Sequence, residues 1–345
     1  MSNIYDIAAK TGFSPSTVAR ALSGKGYVSK ETKSKILAAA ENMHYIPSHT
    51  ARSLRSKKTH KILMCIPDLY NPFYFGLIKG ASDILESRNY HIVLCHSKRI
   101  LKEELKIINM LNEHYGDGML FITFGFNEAN MAALADTKMP IVTTNRVPFD
   151  NFIDCVTVDL EEAMYLATCH LIEMGHKEIG ILIRNVKNPN NSERFVGFAK
   201  AMNEHGLPIR QDRIIVSDVT REYTRVVMNR HFKKHKGPIM TAIAVSTTLI
   251  GIGCIDACED YGVKIPDDLS IVSLDDIDTA TCTKPKLTVI DIRQEELGKK
   301  AAELLLEQIE GRTKKKTIFI EPKLIARDSV LRIRDSCHNH QIMIK

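Results

Sequence analysis

The chain has 345 residues, which exceeds one domain of roughly 100 to 200 residues and predicts two or three structural units. Hydrophobic residues make up 44% and charged residues 26% of the sequence, and no apolar run approaches the roughly 18 residues of a membrane-spanning helix. The first ten residues lack the charged and apolar segments of a secretory signal. We therefore expect a cytoplasmic protein with no membrane partner.

The eight cysteines are scattered mostly through apolar stretches and form no CxxC pair, which is typical of reduced, buried thiols. By their spacing Cys254 and Cys258 share a helix face, where core packing is favoured over metal binding. The sequence predicts no metal site and no cofactor.

The basic charge is concentrated at the N-terminus. Residues 1–61 contain 11 Lys and Arg residues against three acidic residues, whereas the rest of the chain contains 36 basic and 38 acidic residues. Lysine and arginine release counterions from a phosphate backbone, so a compact basic unit on a near-neutral body is typical of nucleic-acid binding. A solvated basic arm is the alternative interpretation of the charge alone.

Capping signals predict the first two of three short N-terminal helices. Asn3 and Asp6 are spaced as a capping box, and Gly12 is expected to end the first helix. Ser14 and Pro15 have the residue types of an N-cap and a first helical position, so a second helix follows a turn of about three residues.

Ser29 is expected to cap a third helix, which Pro47 limits. Apolar residues at helical spacing predict the buried face of each helix. These residues are Ile4, Ile7 and Ala8 in the first helix, Val18, Ala21 and Leu22 in the second, and Ile36, Leu37, Ala40 and Met43 in the third. Three short helices with a tight first turn form a helix-turn-helix.

The second helix of such a unit enters the major groove and presents side chains near its N-terminus to base edges. Here those side chains are Ser16, Thr17 and Arg20. An arginine can bond bidentately to guanine, whereas hydroxyl groups near a helix start more often contact phosphates, so Arg20 is the predicted base-reading residue. A structural three-helix unit without DNA is the alternative.

From about residue 60 onward, short apolar runs such as KILMCIP, HIVLC and GMLFIT alternate with amphipathic segments. This alternation predicts strands and helices that form a parallel sheet. A second series starts near Asp159, which predicts two doubly wound lobes facing a ligand cleft. The sequence contains no GxGxxG, Walker A, GxSxG or HExxH motif of the common enzyme classes.

Three N-terminal segments, Tyr5–Ala8, Thr17–Leu22 and Tyr45–Leu54, follow one another in the order of a known pattern. They resemble the YDVA, TVSRAL and GY.PN..AR.L motifs of the lactose and galactose repressor family. Later segments, including SERFVGF, SLDDID and ARDSV, resemble the effector domain of the same repressors. The resemblance covers residues 3–331. It implies an N-terminal all-α helix-turn-helix domain with a hinge helix, followed by an α/β two-lobed periplasmic-binding-protein-like effector domain.

The resemblance also implies the domain limits. The expected units are a helix-turn-helix domain (1–47), a hinge helix and linker (48–59), a two-lobed effector domain (60–331) and a tail (332–345). Lobes of this fold are built from discontinuous segments, with chain crossings expected near residues 159, 291 and 321. The tail is too short and unpatterned for a heptad tetramerisation helix, so we expect a homodimer.

Residues of two segments are expected to contact DNA by this resemblance. They are Tyr5, Pro15, Ser16, Thr17 and Arg20 in the helix-turn-helix, and Ser48, Ala51 and Leu54 in the hinge helix. The family's hinge leucine wedges into the minor groove and kinks the duplex. Because so short a helix is marginal in water, the segment can be a flexible linker until DNA orders it, which is compatible with a hinge helix on DNA. The chain departs from the family pattern at Ala19, where a phosphate-contacting serine is usual, and at Ser48, where asparagine is usual.

The family's effector site maps onto Phe73, Tyr74, Asn145, Arg146, Arg194, Thr247 and Asp275. An aromatic ring can cover the apolar face of a sugar, and charged side chains bind hydroxyl groups through charge-assisted hydrogen bonds. Alternatively, the aromatic pair belongs to the core, Arg194 forms a surface ion pair and Asp275 caps a strand. The pair Thr247-Thr248 replaces an Asn-Asp pair of the family, which removes a carboxylate that often reads hydroxyl groups.

These features predict a sequence-specific transcriptional repressor, not an enzyme, that binds double-stranded operator DNA under the control of a small-molecule effector, a sugar or sugar derivative. A small-molecule-binding protein without DNA function is the main alternative, because the two-lobed fold also serves transport. The basic N-terminal unit argues against it. An enzyme on a doubly wound sheet is the second alternative, which the missing motifs disfavour.

Overall fold

The structure of the chain is a computed structural model that describes residues 3–24, 26–45, 58–149, 152–184, 189–218 and 220–333. The chain divides into two compact units, residues 1–60 and 61–345. The predicted hinge residues Ser48, Ala51 and Leu54 lie outside the described residues. No helix in the described ranges is long and apolar enough to cross a membrane.

Three helices form the first unit: α1 (Ile4–Thr11), α2 (Pro15–Ser23) and α3 (Lys30–Asn42). The predicted capping box is confirmed, since the Asn3 side chain accepts the backbone N–H of Asp6 while the Asp6 carboxylate accepts that of Asn3. The predicted caps Ser14 and Ser29 are confirmed as well, because each hydroxyl accepts a backbone N–H three residues later. Local signals within three residues therefore set where these helices begin.

The core of the first unit is small. Its buried members are Ile7, Ala8, Val18, Ala21, Ile36, Ala39 and Ala40. The prediction for Leu37 is wrong, because its side chain is 45% exposed and the α3 face toward the core is formed by Ile36, Ala39 and Ala40. Leu37 follows Ile36 by about 100° of helix rotation, which turns it out of that face.

The first lobe of the second unit contains a six-stranded sheet and four helices. The strands are β1 (Lys61–Ile66), β2 (His91–His96), β3 (Gly118–Phe121), β4 (Ile141–Thr143), β5 (Asp154–Val158) and β11 (Thr317–Ile320). The helices are α4 (Phe73–Ser87), α5 (Leu101–Asn112), α6 (Glu128–Asp136) and α12 (Gln294–Ile309). The strand order is β11-β5-β4-β3-β1-β2, and every neighbouring pair is parallel.

The second lobe repeats this arrangement. Its strands are β6 (Ile179–Arg184), β7 (Ile214–Ser217), β8 (Ala242–Val245), β9 (Ser270–Leu274), β10 (Thr288–Asp291) and β12 (Lys323–Ile325). Its helices are α7 (Leu160–Glu173), α8 (Pro189–Glu204), α9 (Arg221–His235), α10 (Thr248–Tyr261) and the short α11 (Thr279–Cys282). The strand order is β12-β10-β9-β8-β6-β7, with only the β10–β12 pair antiparallel among these strands.

Successive residues of a buried strand pack on opposite faces of each sheet. In β1, Ile62 and Met64 pack with α4 and α12, whereas Leu63 and Cys65 pack with α5 and α6. In the second lobe, α7 and α8 cover one face and α9 and α10 cover the other. Cys254 and Cys258 are both fully buried in the core beneath α10.

The chain passes between the two sheets at three places. It leaves the first sheet after β5, returns to it after β10, and leaves again between β11 and β12. The return after β10 brings α12 against α4 of the first lobe. At this point Arg293 has a φ of 54°, and its backbone N–H donates to the Asp291 carboxylate at 2.7 Å. Neither lobe is therefore a contiguous piece of the chain.

Glycines allow α4 and α12 to approach closely. A β-carbon added to Gly298 would clash with the backbone carbonyl of Leu77, and one added to Gly80 would clash with that of Glu295. The contact is therefore a backbone-to-backbone approach that only glycine permits at these two positions.

Candidate DNA-binding surface and effector cavity

The N-terminal end of α2 is accessible to solvent. Pro15, Ser16 and Arg20 are exposed, and Thr17 is half-buried. The N-cap hydroxyl of Ser14 lies 2.8 Å from that of Ser16 and 2.9 Å from that of Thr17. Three hydroxyl groups thus cluster at a helix N-terminus, where hydroxyl and backbone N–H donors suit a phosphate oxygen.

Other predicted DNA-contacting positions differ in their exposure. Tyr5 on α1 is 70% exposed, whereas Ala19, the departure from the family motif, is buried. The aliphatic stem of Arg20 lies against Gly26, since a β-carbon there would be 3.3 Å from Arg20 Cδ. Gly26 has a φ of 86°, a conformation that side chains rarely adopt. The loop after α2 therefore lies against the predicted base-reading side chain.

A cavity of about 130 Å³ lies between the two lobes of the second unit. Its walls come from both lobes, at the carboxyl ends of β3 and β4 in the first and of β6 and β9 in the second. Ligands of doubly wound folds bind at strand ends of this kind. The volume is below the roughly 300 Å³ of the smallest typical ligand cavities, so a ligand of sugar size requires some movement of the lobes.

Most of the predicted effector residues line this cavity. These are Phe73, Tyr74, Asn145, Arg194, Thr247 and Asp275. Arg146 is not among the lining residues, because its guanidinium pairs with Glu193 at 3.1 Å and its side chain is 54% exposed. Because Phe73 and Tyr74 are adjacent, these six lining residues come from five separate segments of the chain.

The aromatic pair belongs both to the cavity and to the core. Phe73 and Tyr74 pack edge to face with ring centroids 5.1 Å apart, and Tyr74 is only 8% exposed. Burial raises the pKa of the Tyr74 phenol. The two interpretations offered by the sequence, cavity wall and core, thus apply together.

Hydrogen bonds to neighbouring residues hold Asn145 in place. Its Oδ1 accepts the backbone N–H of Thr123 at 3.0 Å, and its own backbone N–H donates to Thr143 Oγ1 at 3.1 Å. These bonds fix the side chain at the end of β4. An amide whose orientation is fixed in this way is suited to positioning a polar ligand.

Asp275 follows β9 in a strained backbone conformation. Its φ is 76°, which is uncommon for residues other than glycine. The Thr248 hydroxyl lies 2.5 Å from the Asp275 carbonyl oxygen, and the Asp275 N–H donates to the Ile290 carbonyl at 3.0 Å. Thr248, which replaces a family carboxylate, is fully buried and supports this turn, whereas its neighbour Thr247 lines the cavity.

Burial dominates the electrostatics of the Arg194–Asp275 pair. Burial raises the pKa of Asp275 to about 6, and the positive charge of Arg194 opposes that rise. Burial likewise lowers the pKa of Arg194, against the effect of the Asp275 charge. Both charged forms have lost hydration, so each gains from a ligand that supplies hydrogen bonds.

Sequence reasoning missed three prominent lining residues, Arg99, Arg184 and Phe124. Arg99 follows β2, Phe124 follows β3 and Arg184 ends β6. Each lies at the carboxyl end of a strand or within three residues after it. The signal that could have found them is this position at a strand's carboxyl end.

Comparison with known proteins identifies the family. Residues 3–48 match the model described as bacterial regulatory proteins, lacI family, and residues 168–330 match a periplasmic binding protein-like domain. Catabolite control protein A of Priestia megaterium is 31% identical over 93% of this chain and 97% of its own length. The chain belongs to the lacI family. It is a DNA-binding transcriptional regulator with an N-terminal helix-turn-helix domain and an effector-binding domain.

Further relatives agree with this assignment. The HTH-type transcriptional repressor PurR of Photobacterium profundum is 31% identical over 96% of this chain and 99% of its own length. The lac repressor dimer bound to operator and the anti-inducer ONPF shares the fold, with a TM-score of 0.85, 20% identity, and coverage of 96% and 99% of the two chains. A CelR–cellobiose complex has a TM-score of 0.73 at 23% identity and covers 95% and 100%. The predicted fold class is confirmed.

Proposed function

We propose that this lacI-family regulator is a homodimeric repressor without catalytic activity, whose affinity for a pseudo-palindromic operator is controlled by a small polar effector, a sugar or sugar derivative. The effector binds in the cavity between the two lobes. Tyr5, Pro15, Ser16, Thr17 and Arg20 contact the operator, with Arg20 reading a base edge.

Unpartnered polar atoms in the cavity carry the effector half of this proposal. Within the described residues, Arg184 Nε, Thr247 Oγ1 and Asp275 Oδ1 are buried without a hydrogen-bond partner, and all three residues line the cavity. Each unpaired buried polar group costs about 1–3 kcal/mol. A ligand with several hydroxyl groups removes that cost, which supports a sugar-like effector.

The effector acts by changing how the two lobes close. It shifts operator affinity only by its differential affinity for two lobe arrangements, so we expect a coupling of about 1–3 kcal/mol, or roughly 5- to 150-fold. Binding in a cavity that both lobes line is a direct way to favour one arrangement. The three chain crossings are the segments that must bend.

Two variants and one truncation test the proposal. A thermal-shift screen of sugars, sugar acids and sugar phosphates identifies the ligand, because a ligand that prefers the native state raises its melting temperature. Arg194→Ala and Asp275→Ala should abolish the effector's influence on operator binding while basal DNA binding survives. Deletion of residues 1–58 should remove operator binding and leave ligand binding in place. If both variants bind the ligand with wild-type affinity in isothermal titration, the effector does not bind in this cavity.

We also propose that Leu54 of the hinge helix inserts into the minor groove at the operator centre. Leu54→Ala should reduce specific affinity and the bend of the operator, because the apolar wedge is lost. Non-specific DNA binding should change little and serves as the control. An unchanged bend angle in that variant counts against the wedge.

A further inference from the structure

Two arginines outside the predicted site converge on one aromatic ring. The guanidinium carbon of Arg99 lies 5.0 Å from the ring centroid of Phe124, and that of Arg184 lies 4.2 Å from it. Arg99 and Phe124 belong to the first lobe, whereas Arg184 ends β6 of the second lobe. The cluster therefore spans the two lobes within the cavity.

The two guanidinium groups repel one another in a partly dry site. Burial, together with the neighbouring charges of Arg99 and Arg194 and against the opposing charge of Asp218, lowers the pKa of Arg184 to about 10. The face of an aromatic ring attracts a cation and so offsets part of this repulsion. The Nε of Arg184 is nevertheless buried without a hydrogen-bond partner among the described residues.

Carboxylates of the protein neutralise this cluster only in part. Asp68 pairs with Arg99 at 2.5 Å, and Asp218, which acts on Arg184, is exposed after β7. Among the described residues that line the cavity, three are arginines and Asp275 alone is acidic. The lining therefore has an excess of positive charge.

We propose that the effector carries an anionic group, a phosphate or a carboxylate, and that Arg99 and Arg184 bind it from opposite lobes. This inference rests on the proposed function and narrows its ligand to an anionic sugar derivative. Guanidinium groups match both anions with paired, charge-assisted hydrogen bonds. An anion held from both sides removes the repulsion between the two arginines and favours the closed arrangement of the lobes.

Inorganic phosphate is the probe of this site. The measurement is the width of its ³¹P resonance in the presence of the full chain, which broadens when phosphate binds. Arg184→Gln and Arg99→Gln should each weaken the broadening about tenfold or more, since a hydrogen bond to a charged group is lost. Arg146→Gln is the matched control, because Arg146 lies outside the cavity lining and should give wild-type broadening. Phosphate bound by the basic N-terminal unit contributes equally to all four proteins.

Competition by acetate distinguishes the two anions. If equimolar acetate displaces the phosphate and narrows its line, the site binds carboxylates as well. If only sulfate narrows the line, the site is specific for phosphoryl-like groups. Wild-type broadening in both Arg184→Gln and Arg99→Gln overturns the inference, as does absence of broadening in the wild type. A neutral sugar that shifts operator affinity in the same preparation would then leave the proposed function standing.

Discussion

The N-terminal helices and the interlobe cavity place their polar side chains in opposite environments. Ser16 and Arg20 are exposed at the start of α2, whereas Asp275 is only 4% exposed and its pKa is raised to about 6 by burial. Exposed groups keep their hydration until DNA replaces it, while buried groups have lost theirs in the folded chain. We infer that DNA affinity responds mainly to salt, and that cavity residues respond mainly to pH and to changes in packing.

Salt should give the largest effect and should separate the two regions. With about 6 to 10 phosphate contacts, operator affinity is expected to fall roughly a thousandfold or more between ~50 and ~200 mM salt. Ligand binding in the partly buried cavity should change far less, because buried charges are screened weakly. Gel-shift titrations measure how operator affinity depends on salt, and calorimetric titrations over the same salt series measure how ligand affinity does. A flat operator titration would contradict this comparison.

Gly298→Ala should destabilise the second unit by about 3 kcal/mol, because its β-carbon meets the Leu77 carbonyl and overpacking has costs of this size. Gly251→Ala is the matched control, since a β-carbon there lies 3.5 Å from Ser273 Cβ, an ordinary contact. The control should stay within about 1 kcal/mol of the wild type. Urea unfolding measures both variants, and equal stabilities would show that α4 and α12 separate without cost.

Asp275→Asn should change the pH dependence of stability. The folded-state pKa of Asp275 is raised from 3.8 to about 6, so the wild type loses stability as pH rises through this window. This pKa difference corresponds to about 3 kcal/mol. Between pH 4 and pH 7 the free energy of unfolding of the variant should therefore rise by about 3 kcal/mol relative to that of the wild type. Unfolding at several pH values measures it, and parallel pH profiles would mean that Asp275 titrates normally.

Arg20→Ala should have the smallest effect on the folded chain and a specific effect on DNA. Loss of a bidentate base contact costs about 1–3 kcal/mol and relaxes preference at one base pair. Stability should change by no more than about 0.5 kcal/mol, because the side chain is exposed. Binding to operators substituted one base pair at a time is the measurement. An equal loss on every sequence would assign Arg20 to a phosphate.

The sequence predicts the N-terminal unit well because its signals are local. Asn3, Ser14 and Ser29 each act on a residue three positions away, a relation that can be read directly from the chain. The exposure of Leu37 is harder to predict from the sequence, because it depends on which of two overlapping faces of α3 the other helices cover.

The cavity is less predictable, since its residues meet only after two sheets have formed. Family motifs pointed to Arg194 and Asp275, which the structure places in the lining, and to Arg146, which it places outside. Arg99, Phe124 and Arg184 belong to no motif and are up to 85 residues apart in sequence. Their convergence depends on the alignment of two lobes that no local pattern encodes.

The three chain crossings also set the order in which the protein becomes complete during synthesis. The last residue of α3 is Asn42, but the first lobe lacks a strand until β11 ends at Ile320. At about 5–20 residues per second, roughly 14 to 56 s pass between these two points. A nascent chain therefore carries its DNA-binding helices long before it has an intact effector cavity. A ribosome that stalls in this interval produces a chain with operator-contacting helices and no complete site for the ligand that controls them.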